Sequence, residues 1–158
     1  MPSSCKFGIG LPNGFPRGEV HPTAFLEVAE RAEAYGYDSV WAGDHIIFHI
    51  PRFEIFTTLA AIAARTKRVQ FGPAVLLLCL RHPVHVAQSI VSLDHMSGGR
   101  FVFGVGVGGE HPKEFMASGV SVNQRGPRTN EALEILRRLW TEPSVAFSGT
   151  YYHFDEIT

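Results

Sequence analysis

Apolar residues along the chain fall into short runs of strand length that alternate with longer stretches of helical period. Residues 7–12 form a brief apolar run that stops at Pro12-Asn13-Gly14, which predicts a strand followed by a turn. His21-Pro22 then opens a predicted helix with proline at its first position, where a missing N–H costs nothing. Phe25, Val28, Ala29 and Ala32 recur at i, i+3, i+4 and i+7, one face of that helix, and Gly36 predicts a left-handed stop. Residues 39–42 predict a second strand, the alanine-rich residues 54–64 a second helix, and residues 69–78, apolar on both faces, a longer third strand.

The pattern then repeats. His82-Pro83 opens a third helix in which Val84, Ala87, Ile90, Val91 and Asp94 run on to Met96, before Ser97-Gly98-Gly99. Residues 101–107 predict a fourth strand and residues 124–140 a fourth helix, with Ala132, Ile135, Leu136 and Leu139 as its buried stripe. Residues 145–154 alternate around Ser148-Gly149 and predict a small C-terminal hairpin. Strands followed by helices and apolar on both faces imply an α/β fold with a parallel sheet covered by helices. Two architectures fit, an open doubly wound sheet or part of a closed barrel. No linker or low-complexity segment divides the chain, so residues 1–158 are expected to form a single domain.

Composition narrows the partner more than the fold. The 158 residues are 45% hydrophobic and 18% charged with a net charge of -1, which is the balance of a globular domain. The basic residues are scattered, with Lys67-Arg68 and Arg137-Arg138 the only adjacent pairs, so nucleic acid is not the expected partner. Two cysteines, Cys5 and Cys79, fit a reducing compartment. The longest apolar run, from Ala74 to Leu80, is far below the ~20 residues that span a bilayer, and the start of the chain carries no secretory pattern. The expectation is a cytoplasmic protein that acts on a small molecule, away from membranes.

Three places can carry chemistry. Asp44-His45 sits just past the second predicted strand, at the end where parallel sheets bind ligands. There an imidazole can move protons near neutral pH and the carboxylate can orient it or bind ligand; the alternative is a loop histidine with a turn-capping aspartate. Gly104, Gly106 and Gly109 form a G-x-G-x-x-G after the fourth predicted strand. A dinucleotide fingerprint needs a helix opening on its last glycine, whereas Glu110-His111-Pro112 intervenes. The run reads instead as a strand end bare of side chains, open to a flat ligand or to close packing. Glu110 follows it and is a second candidate proton carrier, or a solvated loop acid. His45 and His49 stand four apart, but a metal pair at that spacing needs a helix and this stretch reads as loop, so no metal site is expected. His21, His82 and His111 each precede a proline and read as turn or helix-start residues; Asp94-His95 reads as structural.

Taken together these stretches resemble the luciferase-like superfamily of flavin and deazaflavin oxidoreductases. The matching residues are Phe7 to Pro12, Ala32 to Trp41 with Asp44-His45, Arg81-His82-Pro83, Ser92 to Phe101, Gly104 to Gly108, and Glu131 to Trp140. The Asp-His pair after strand two is most similar to the coenzyme F420-dependent branch. The resemblance implies a parallel (β/α)8 TIM-type barrel of which this chain holds βα units one to four, a truncated half-barrel followed by the hairpin. It implies hydride transfer with coenzyme F420, with an FMN-dependent monooxygenase as the alternative cofactor chemistry. It makes His45 the acid or base and Asp44 a cofactor contact, with Gly106, Val107, Gly108 and Gly109 lining the cofactor. In some F420 enzymes a glutamate directly after the glycine run is the partner acid; here Gly109 takes that place and Glu110 comes one later. The family's non-prolyl cis peptide maps onto Ala74-Val75. A half-barrel further implies a homodimer or a second half-barrel as partner. The competing non-enzymatic reading is an inactive fragment or assembly module, and a metal-dependent barrel hydrolase is the third.

Overall fold

A computed structural model of the chain describes residues 5–16, 19 and 21–158. They divide into two compact units, one of residues up to Leu76 together with Ser92–Val105, the other of Leu77–Val91 and Gly106–Thr158.

The first unit is built on three parallel strands, β1 (Gly8–Gly10), β2 (Ser39–Ala42) and β3 (Gln70–Pro73), in the order β1-β2-β3. Val40 lies opposite Ile9 and Phe71, and an isolated parallel bridge continues the ladder from Phe71 to Phe101. Helices α1 (Ala24–Ala34) and α2 (Ile55–Arg65) connect the strands. Helix α1 ends where Gly36 takes φ of +82°, the left-handed stop predicted from its residue type. Helix α2 starts because the Glu54 carboxylate accepts the Thr57 N–H at 2.8 Å, and it stops at the β-branched, extended Thr66. Phe25, Ala29, Leu59, Ile62, Val40 and Phe71 are buried in this unit's core.

The start of α1 differs from expectation. Pro22 lies in a turn before the helix and Thr23 is the N-cap, so the proline precedes the first helical residue, Ala24. The third strand is shorter than its apolar run. It breaks after Pro73, resumes as β4 (Leu76–Leu77), and passes into a 3₁₀ turn at Leu78–Leu80. Pro73 has no N–H to give a ladder, which is the physical reason for the interruption. Of the fourth expected strand, only β5 (Val105–Gly106) and the Phe101 bridge form, and β5 pairs with β4.

One carboxylate ties β3 to α1. Glu33 accepts the backbone N–H groups of Lys67, Arg68 and Val69, the last two at 2.6 and 2.9 Å. Partial burial pushes its pKa up, but these three donors and the Arg68 charge outweigh burial and hold it below the ordinary carboxylate value. The lowered folded-state pKa means Glu33 stabilises the fold above the unfolded carboxylate range and stops doing so as pH falls through its folded value. Glu33→Gln is therefore expected to lower the urea midpoint most at neutral pH, with the deficit shrinking towards about pH 4. A deficit of equal size at both pH values would show that charge on Glu33 plays no part.

In the second unit α3 (Pro83–Ser97) contributes Pro83–Val91, and α4 (Pro112–Ala117), α5 (Arg125–Thr141) and the antiparallel hairpin β6 (Val145–Ser148) and β7 (His153–Ile157) follow. Leu77, Cys79, Leu80, Phe115 and Val120 form one buried cluster, and Ala132, Ile135 and Leu136 of α5 are buried as their spacing predicts. Helix α4 was not expected; His111 caps it and Pro112 sits in its first turn. The Glu131 carboxylate accepts the N–H groups of Thr150 and Tyr151 in the hairpin loop. Among the described residues no helix is long and apolar enough to cross a membrane.

Candidate functional site

Strand β2 ends at Ala42, and the chain leaves it through Gly43 into Asp44 and His45. Residues 43–51 hold no helix or strand, so the loop between His45 and His49 is not the helical setting that a metal pair needs. Asp44 is 4% exposed, a buried carboxylate, whereas His45 is half-buried. The His45 ring stacks on Phe48, with centroids 4.0 Å apart and planes at 22°. Among the described residues no group of three or more His, Cys, Asp and Glu side chains is placed to hold a metal ion.

The end of β3 lies beside this loop. The Ala74 N–H donates to the Ala42 carbonyl at 2.8 Å, which brings Ala74 and Val75 next to the carboxyl end of β2. The peptide between Ala74 and Val75 is cis, as the resemblance implies. Both residues are exposed, although every other residue from Phe71 to Leu80 is buried. The first unit thus assembles Asp44, His45, Ala74 and Val75 at the carboxyl ends of two adjacent parallel strands.

Two glycines near this edge serve packing. A β-carbon at Gly72 would run into the Val102 carbonyl, and one at Gly104 into the Pro73 carbonyl, so these positions let neighbouring backbone segments meet. For Gly104 the close-packing reading is thus the one the geometry supports.

The second unit holds the rest of the glycine run. Gly108 and Gly109 take φ of +63° and +123°, conformations that side chains disfavour. A β-carbon at Gly108 would also lie 2.9 Å from Leu77 Cδ2. Val107 is 41% exposed and its carbonyl accepts from the Cys79 thiol at 3.6 Å. Glu110 is exposed. Helix α4 opens at Pro112 rather than on Gly109, which is not how a dinucleotide fingerprint is built.

A feature of the first unit was not singled out from the sequence. His45, Ile46, Phe48, His49, Ile50, Pro51 and Arg52 line a cleft of about 250 Å³. Arg52 reaches back to the turn after β1, its backbone bridging Gly14 and its Nη1 lying 3.4 Å from Asn13 Oδ1. A lone arginine after a proline gave no periodic or motif signal that could have marked it.

Comparison with known proteins places these features in context. A family model described as luciferase-like monooxygenase matches residues 5–158. An F420-dependent glucose-6-phosphate dehydrogenase from Amycolatopsis mediterranei is 38% identical over 141 residues, which cover 83% of this chain and 41% of that protein. Among solved structures, a monooxygenase from Streptomyces bottropensis superposes with a TM-score of 0.83 at 32% identity, over 95% of this chain and 47% of that one. An F420-dependent secondary alcohol dehydrogenase, in complex with an F420-acetone adduct, superposes with a TM-score of 0.78 at 30% identity, over 96% and 47%. The chain spans less than half the length of these relatives.

Proposed function

The chain belongs to the luciferase-like monooxygenase family, and we propose that it forms βα units one to four of a (β/α)8 barrel that carries out hydride transfer with coenzyme F420. The observation that carries this reading is the pair Ala74 and Val75, exposed in an otherwise buried run and tied by the Ala74 N–H to the end of β2 beside the Asp44-His45 loop. A methyl group and a valine, next to a carboxylate and an imidazole, fit a flat ring system with an apolar face and polar edges. A bound deazaflavin supplies a ring carbon that takes up or returns a hydride.

The remaining work falls to this chain's own side chains. His45 would take the proton released when a substrate hydroxyl is oxidised, holding it on a ring nitrogen. Asp44, buried next to it, would fix the cofactor's position. Gly106, Val107, Gly108 and Gly109 carry over from the family as backbone that lines the cofactor, and Glu110 as a second proton carrier. The substrate is a small molecule, the setting the cytoplasm, and the partner a second copy of the chain or the complementary half-barrel.

Binding tests the reading. Titration with F420 and, separately, with FMN, each followed by the cofactor's own fluorescence, is expected to give saturable binding for F420 and a much weaker response for FMN. Saturable FMN binding with none for F420 would transfer the site to the monooxygenase chemistry. Binding of neither would support the fragment or assembly module.

A further inference from the structure

We infer that the loop from His45 to Arg52 holds an oxyanion subsite, anchored by Arg52, which selects a substrate bearing a carboxylate or a phosphate group. The inference rests on the proposed redox reading of the neighbouring residues and adds to it the chemical class of the substrate.

Arg52 sits with its Cζ 4.9 Å from the centroid of the Phe48 ring. A guanidinium laid on an aromatic face has its plane set by that contact, and its N–H groups are left to donate along the edge. Its Nε is buried and donates to no acceptor, and its Nη1 has only the long 3.4 Å contact with Asn13. Asn13 does not depend on that contact, since its own amide donates to the Gly43 carbonyl at 2.7 Å. Among the described residues Arg52 pairs with no carboxylate. The nearest acid along the chain, Glu54, already accepts from Thr57 N and Oγ1 at 2.8 and 3.0 Å.

The surroundings make room for this side chain. A β-carbon at Gly43 would lie 3.0 Å from Arg52 Nη1, and one at Gly14 would lie 3.3 Å from Arg52 Cγ. Both glycines thus leave the space that the arginine fills. The Nε is closed off by the protein, so an anion in the cleft would meet the Nη groups, and the acceptors that suit them are the oxygens of a carboxylate or phosphate. His45 and His49 line the same cleft, and Ile46, Ile50 and Pro51 give it an apolar wall. That combination suits a small acid with an apolar body, held within reach of His45.

The test uses inorganic phosphate and acetate, each titrated at constant ionic strength against chloride without cofactor, with the ring proton resonances of Phe48, His45 and His49 as the readout. Saturable shifts in the millimolar range are expected for at least one of the two anions, and the tighter binder identifies phosphate or carboxylate as the source. Arg52→Gln should weaken that binding ~10-fold or more, and Arg52→Lys should recover only part of it, because a point charge lacks the fork. Shifts that follow ionic strength alone, or that persist in Arg52→Gln, overturn the inference. So does phosphate that competes with F420, since Arg52 would then hold the cofactor's own phosphate. The wild-type titration against chloride decides the matter even if Arg52→Gln does not fold. Anion binding without cofactor binding would sink the redox reading and leave the subsite standing, and the converse result would do the reverse.

Discussion

Under the proposed hydride transfer, His45→Ala in an intact barrel is expected to lower turnover about 10²-fold while cofactor affinity changes little. The expectation follows from position. His45 leaves the carboxyl end of β2 beside the exposed Ala74 and Val75, and its ring is held flat against Phe48 at 4.0 Å. A side chain that moves a proton acts at the reacting atoms, so its removal shows in the rate more than in ground-state binding of the cofactor. Steady-state kinetics on the two proteins, with a separate cofactor titration, check both parts. Near-normal turnover in the variant would make His45 a structural loop residue.

The largest expected loss of stability comes from Arg100. Its Nε donates to the Ser97 carbonyl at 2.9 Å, its Nη1 to Thr66 Oγ1 and the Val69 carbonyl at 2.9 and 3.0 Å, and its Nη2 to the carbonyls of Ala63 and Thr66 at 3.0 and 3.1 Å. One side chain thereby closes the end of α2, the start of β3 and the end of α3. Its guanidinium also lies 5.3 Å from the centroid of Phe71, which is fully buried. The ends of helices leave carbonyls without partners in the chain, and those of Ala63, Thr66 and Ser97 are satisfied by Arg100. Arg100→Ala strands several of them at once, for a loss of ~3–5 kcal/mol in urea unfolding. Arg100→Lys should recover little, because a single ammonium cannot replace a planar fork reaching three segments. A loss below about 1 kcal/mol would mean that water takes over these carbonyls.

How much of this was legible follows from which forces act locally. The helical faces of α1 and α5 and the stop at Gly36 are matters of spacing and of one residue's freedom at positive φ, and they read directly from the chain. So did the loop character of residues 43–51 and the hairpin around Ser148-Gly149. The interruption after Pro73 follows from its missing N–H, but the 3₁₀ turn at Leu78–Leu80 was not legible, because Val75 to Leu80 is as apolar as a strand. Helix α4 escaped because six residues are too few to show a period, and the glycines before it suggested loop. At the site, Asp44 and His45 could be placed by strand position alone. That Asp44 is buried and that Gly104 serves packing against Pro73 depend on tertiary contacts between distant residues. Such contacts have no signature in a single sequence.

On the proposed reading, Asp44, His45, Ala74 and Val75 form a cofactor wall at the carboxyl ends of β2 and β3. The most direct measurement is the set of backbone amide resonances that move when F420 is added. The amides of Asp44, His45, Ala74 and Val75 are expected to shift together along one saturation curve. Shifts confined to other residues, with these amides unmoved at saturation, would contradict it.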